Sequence, residues 1–137
     1  MIKNMVSNIR IKKINKEIAS IIIDEPKTYN ALSFKNLNNL IKAFKKLDSD
    51  KNIKVIIIEG SGKGFSAGHN LKEVNGLKKR AKYQKLFNLC SKLMLQIVEG
   101  KKPVIAKVHG AAFAAGCQLV ASCDLAYSAN DAILQHQ

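Results

Sequence analysis

The strongest constraint on the fold of this chain is a run of small residues set directly behind a run of strand formers. Val55-Ile56-Ile57-Ile58 leads into Gly60-Ser61-Gly62-Lys63-Gly64-Phe65-Ser66-Ala67-Gly68-His69-Asn70-Leu71-Lys72-Glu73, and a helical pattern follows. Four consecutive β-branched residues suit a strand. The glycines let the chain turn tightly and leave N–H groups exposed where a helix begins. A second small-residue turn, Ala114-Ala115-Gly116-Cys117-Gln118, also follows an apolar, strand-like run. Two such turns at strand ends are what a two-donor site for a negatively charged oxygen requires.

The rest of the chain reads as alternating strands and helices. Val6 to Ile14 alternates, Asn15-Lys16 turns, and Ile18 to Ile23 is a strand ended by Pro26. Ser33 is a cap for a helix running to about Leu47, with Leu37, Leu40, Ile41, Phe44 and Leu47 on one face. Ile53 to Ile58 is expected to be buried on both sides, as in a parallel sheet. A long amphipathic helix starts near Lys79, carries Leu86, Leu89, Cys90, Leu93, Met94 and Ile97, and stops at Gly100. Pro103 opens a strand over Val104 to Val108. Ala114 to Ser122 is a short apolar helix, and Asp124 to Ala129 a last strand. The order predicts an α/β fold with crossover helices.

A chain of 137 residues is one domain, spanning 1–137. The net charge of +13 comes almost wholly from lysines spread along the chain, only Arg10 and Arg80 being arginine. With few aromatics and no nucleic-acid motif, a solvated lysine surface is the favoured reading, and no nucleic-acid partner is expected. A ligand bearing phosphates needs only two or three of these lysines. Cys90, Cys117 and Cys123 are odd in number and form no C-x-x-C, so neither a disulfide frame nor a metal site is expected. No apolar run reaches the roughly 18 residues of a membrane span. Met1 to Val6 lacks the apolar core of a signal peptide, which makes the cytoplasm the default location, or the mitochondrion in a eukaryote. The glycine loop is not a P-loop, because no Gly-Lys-Ser/Thr stands at the right offset. Nor is it a dinucleotide fingerprint, because Phe65 replaces the third glycine.

Three ordered segments carry a family resemblance over about residues 6–130. They are Asp24-Glu25-Pro26-Lys27-Thr28-Tyr29-Asn30-Ala31-Leu32, Gly64 to Glu73, and Lys102-Pro103-Val104-Ile105-Ala106-Lys107-Val108-His109-Gly110-Ala111-Ala112. They resemble the crotonase, or enoyl-CoA hydratase/isomerase, superfamily. Gly116 to Asp124 is most like a branch of it with glutamine at the first catalytic-glutamate position. The resemblance implies the N-terminal half of a ββα spiral fold that binds an acyl-CoA thioester in fatty acid metabolism. Coenzyme A is then part of the substrate, and no separate cofactor is implied.

By position, the implied oxyanion donors are the main-chain N–H groups of His69 and Ala115, with Gly116 beside the latter. On this reading the His69 side chain is free to vary, and acid/base work by its imidazole is the minority view. Implied substrate contacts are Lys27, Ala31, Ser66, Ala67, Gly68, Asn70, Leu71 and Lys72, the lysines lying near the CoA phosphates. Gln118 falls on the first catalytic glutamate; an amide orients water but has no proton to exchange near neutral pH. The second glutamate would fall just past Gln137. Asn70 replaces the usual aspartate, a change expected to affect loop anchoring.

Family members are roughly twice this length, and the match is expected to fade after about Asp131. Ile133 to Gln137 departs from the expected continuation, as a frameshift or premature stop would make it. Apolar faces around Leu93, Ile97, Leu119 and Val120 are then expected to be exposed. Assembly into a trimer or hexamer is expected only if the second half is supplied. Three readings stay open: an enoyl-CoA hydratase/isomerase-like lyase, a catalytically inactive remnant or half of a split protein that at most binds acyl-CoA, and a basic nucleic-acid-binding domain.

Overall fold

The computed structural model describes residues 7–76 and 79–136. Met1 to Val6 and Gln137 therefore lie outside the described residues, as does the side chain of Leu71. Strands β1 (Ile9–Lys13), β2 (Ile18–Ile23), β3 (Val55–Gly60), β4 (Val104–Val108) and β6 (Leu125–Ser128) form one sheet in the order β1-β2-β3-β4-β6. β1 runs antiparallel to β2, as a short turn at Asn15 dictates; the other pairings are parallel and need crossovers. Helix α1 (Phe34–Asp48) links β2 to β3. Helices α2 (Leu71–Asn75) and α3 (Arg80–Glu99) link β3 to β4, and α4 (Ala115–Ser122) precedes β6. β5 (Ala111–Phe113) and β7 (Ile133–Gln135) make a second, two-stranded parallel sheet. The α/β expectation holds, and Ser33 caps α1 by accepting from Asn36 N–H.

The core lies on one face of the large sheet. Ala19, Ile21, Ile23, Ile56, Ile58, Val104, Ala106 and Val108 share that face by register. They form one apolar cluster with Leu37, Leu40 and Phe44 of α1 and Leu86 and Leu93 of α3. β3 is not buried on both sides as its sequence suggests: Ile57 and Glu59 on the other face are only half-buried. The helices put their apolar stripes on a single face, so alternate residues of the strand stay partly wet.

The expected exposed faces also need correction. Leu93, Ile97, Leu119 and Val120 are buried. Among the described residues, the large apolar side chains that are exposed are instead Phe87, Leu95 and Val98 on α3, Leu125, Tyr127, Ile133 and Leu134 toward the C-terminus, and Ile14 and Tyr29. On α3 the stripe Leu86, Cys90, Leu93 and Ile97 turns inward at helical spacing, which leaves the neighbouring stripe outside. Ile133 to Gln135, read as a departure from the family pattern, is an ordered strand. It pairs with β5, and Gln135 O accepts from Ala114 N–H at 2.7 Å. Backbone pairing does not depend on side-chain identity, so motif spelling could not reveal it.

Candidate active site

The glycine loop is shaped by a buried asparagine. Tyr29 and Asn30 both take left-handed backbone angles, φ 56° and 55°, a conformation asparagine tolerates better than most residues. This directs the Asn30 side chain under the loop. Its Nδ2 shares its donors among the carbonyls of Ser61, Gly64 and Phe65 at 2.8, 2.9 and 3.2 Å. Its Oδ1 accepts from Glu25 N–H at 2.8 Å. Ser66 Oγ donates to Asn30 O at 2.7 Å and accepts from Gly68 N–H at 3.2 Å. Burying so many loop carbonyls without these partners would be costly.

The loop then locks onto the second small-residue turn. Phe65 and Ser66 N–H donate to Ala111 O, and Phe113 N–H donates to Ser66 O at 2.9 Å. Gly68 has φ +93°, and a Cβ there would sit 3.3 Å from Ala115 N and 3.0 Å from Phe113 O. At Gly116 a Cβ would sit 2.3 Å from Ser66 O. Only glycines let the two segments approach this closely. Ala114 holds φ 50° and ψ −118°, a strained setting for a residue with a Cβ, and it turns the chain into α4.

This contact brings the His69 and Ala115 segments together. Neither main-chain N–H has a hydrogen-bond partner among the described residues. Ala115 is the first residue of α4, so its N–H has no intrahelical acceptor. His69 and the exposed Gln118 both line one open groove of about 730 Å³, walled by Phe87, Met94, Leu95 and Val98. An apolar groove with a few polar groups converging on it is the usual form of a small-molecule site.

The other predicted contacts divide. Ala67 is exposed beside the loop. Ala31 and Ser66 are buried, so their side chains support the loop instead of facing a ligand. Asn70 Oδ1 is committed to capping α2, accepting from Lys72 and Glu73 N–H at 3.0 and 3.2 Å. Lys72 in α2 and Lys27 in the turn Pro26–Thr28 are exposed and lie outside the groove lining. The backbone of Leu71 opens α2.

Sequence reasoning missed Asn30, Ala114 and Glu73 as organisers. Glu73 Oε1 accepts from Phe34 N–H at 3.0 Å and so ties α2 to the start of α1. The Asn70-x-x-Glu73 spacing resembles a capping box and was the available signal, although the carboxylate bonds a different helix.

Asp24 anchors the loop entrance. It accepts from Ser61 Oγ at 2.6 Å and Arg10 Nε at 2.9 Å. The Ser61 hydrogen bond is the largest cause holding its carboxyl below the usual range; burial opposes it, and the Arg10 charge and hydrogen bond add to the lowering. Burial, with a contribution from Asp124, pushes the Cys123 thiol up to about 12, and burial also raises Cys90. Among the described residues no three His, Cys, Asp or Glu side chains cluster as metal ligands. No described helix is long and apolar enough to cross a membrane.

Comparison with known proteins matches residues 13–137 to the family model "Enoyl-CoA hydratase/isomerase". The match thus runs past Asp131, where motif reading ended. The mitochondrial enoyl-CoA hydratase domain-containing protein 3 of Xenopus laevis is 44% identical over 113 residues, 82% of this chain and 38% of that protein. A crystal structure of enoyl-CoA hydratase from Mycobacterium smegmatis superposes with a TM-score of 0.90 at 40% identity, covering 94% of this chain and 50% of that one. That of human enoyl Coenzyme A hydratase domain-containing protein 3 gives 0.87 at 38% identity, covering 93% and 50%. The chain thus spans about two fifths of the length of such curated relatives and half that of the solved structures. The aligned part is the N-terminal half of the crotonase fold.

Proposed function

The chain belongs to the enoyl-CoA hydratase/isomerase family, and from that premise we propose that its groove receives an acyl-CoA thioester whose carbonyl oxygen accepts from the main-chain N–H groups of His69 and Ala115. One observation carries this reading: two N–H groups without a partner among the described residues come from segments locked together at Gly68 and Gly116, and one of them, His69, lines an apolar groove that Gln118 of α4 also lines. Two such donors polarise the thioester and hold the negative charge that develops on its oxygen; one donor is worth about 3 kcal/mol in the transition state. The acyl chain would lie along Phe87, Met94, Leu95 and Val98. Lys27 and Lys72, with Ala67 and the backbone of Leu71 nearby, would serve the CoA end. The family habits of trimer or hexamer assembly and a role in fatty acid metabolism belong to the same proposal. So does a mitochondrial location, which relatives named as mitochondrial support.

Calorimetric titration with crotonyl-CoA tests the reading. Saturable binding that Gly68→Ala abolishes is expected, because φ +93° is strained for any residue with a Cβ, and that Cβ would also meet Phe113 O at 3.0 Å. Binding equal for both proteins would refute it. A second reading, binding without turnover, is favoured by Gln118, whose amide lines the groove where a hydratase needs a carboxylate. Hydration of crotonyl-CoA that Gln118→Ala abolishes would exclude the inactive reading. Thioester binding without conversion would exclude the enzyme.

A further inference from the structure

We propose that the imidazole of His69 is the groove's proton-transferring group, acting on a carbon-bound hydrogen next to the thioester carbonyl; this rests on the thioester reading above. Phe87, Met94, Leu95 and Val98 offer no usable proton, and Gln118 and the two serines in the lining do not ionise near neutrality. Cys90 lines the groove as a thiol that burial pushes up. Histidine is the side-chain type that exchanges protons in the physiological range.

The ring is held in one orientation. Its Nδ1 faces Leu32 O at 3.4 Å, and it meets Phe87 edge to face, with centroids 5.6 Å apart at 68°. A carbonyl oxygen can only accept, so this contact puts the neutral ring's proton on Nδ1 and leaves the lone pair on Nε2. Nε2 has no partner among the described residues. An imidazole fixed through one nitrogen with the other left open is the arrangement of a general base. On the thioester reading, the same residue would lend its main-chain N–H to the substrate oxygen, and its side chain lines the same groove. Among the described residues, the titratable groups around it are Cys90 from α3, in the groove, and Tyr83, stacked on Phe87 at 6.5 Å, and no acid or lysine lines the groove.

The step balances without a co-reactant. With a 3-enoyl thioester, Nε2 takes a proton from Cα, and the C–H electron pair moves into an enolate whose oxygen rests on the two N–H donors. The imidazolium exchanges its acidic proton with water reaching the open groove and delivers a proton to Cγ. The carbonyl re-forms and the double bond moves from Cβ=Cγ to Cα=Cβ. Nothing is oxidised or reduced.

Incubating the full chain with 3-butenoyl-CoA in deuterated water tests this, with deuterium uptake read by mass spectrometry and binding by calorimetry. The wild type should exchange, and His69→Gln should bind within a few-fold while losing at least about 100-fold in exchange rate. Added imidazole should restore part of the rate to His69→Ala. Should His69→Gln fail to fold, the imidazole rescue of His69→Ala decides: rescue supports the proposal, and an unrescued but folded and binding His69→Ala overturns it. A His69→Gln variant exchanging at the wild-type rate overturns the proposal, as does a wild type that binds without exchange; both leave the thioester reading intact. A wild type that does not bind overturns both.

Discussion

Replacing Gly116 by alanine sets two known effects against each other. In a helix, alanine is favoured over glycine by about 1 kcal/mol. The new Cβ, however, would lie 2.3 Å from Ser66 O, about 1 Å inside van der Waals contact. That oxygen cannot rotate away. It is main chain, it accepts from Phe113 N–H at 2.9 Å, and its loop is tied to Asn30. Relief must separate the two segments, and overpacking of this kind costs about 1–3 kcal/mol, enough to outweigh the helix gain. We expect a net loss of up to about 2 kcal/mol, or as much as roughly 8 °C in melting temperature for a domain of this size. Separation would also splay the His69 and Ala115 N–H groups, so crotonyl-CoA affinity should fall with stability. Thermal melts and calorimetric titration read both quantities. Gly76→Ala is the control, since its Cβ would meet nothing nearer than 3.3 Å. A Gly116→Ala protein that melts higher than wild type and binds unchanged would show that the two turns are not interlocked.

Three further outcomes are expected. Asn30→Ala should lose about 2–3 kcal/mol in urea unfolding, because it strips partners from buried loop carbonyls; a loss below 0.5 kcal/mol would show that the loop holds itself. Asp24 has a carboxyl below its ordinary value of 3.8, so its contribution is complete above that value and disappears as pH falls through the lower folded value. Asp24→Asn should therefore flatten the acid limb of stability below about pH 4, and an unchanged limb would count against the Ser61 and Arg10 contacts. Cys123, with its thiol pushed up to about 12, should alkylate about 1000-fold more slowly at pH 8 than a thiol at the ordinary value of 9.0, whereas rapid labelling at Cys123 in the native protein, read by peptide mass spectrometry, would refute that shift.

Much of this protein is written locally. Val55 to Ile58 are strand formers whatever surrounds them, Ser33 caps a helix with its own hydroxyl, and Pro103 and Gly100 punctuate the chain by fixed backbone chemistry. Those preferences act over a few residues, so the element order and the two small-residue turns can be read from spelling alone. Long-range relations decided the rest. Whether Leu93 or Leu95 faces solvent depends on which stripe of α3 meets the sheet, and both stripes are apolar. Asn30 matters because a left-handed backbone turns it beneath a loop more than 30 residues away. Ile133 to Gln135 became a strand only because β5 offered free backbone partners. The sequence determined that two small-residue turns could leave N–H groups free; only tertiary contact decided that the segments carrying them lock together at Gly68 and Gly116, because that approach depends on backbone packing between residues almost 50 positions apart.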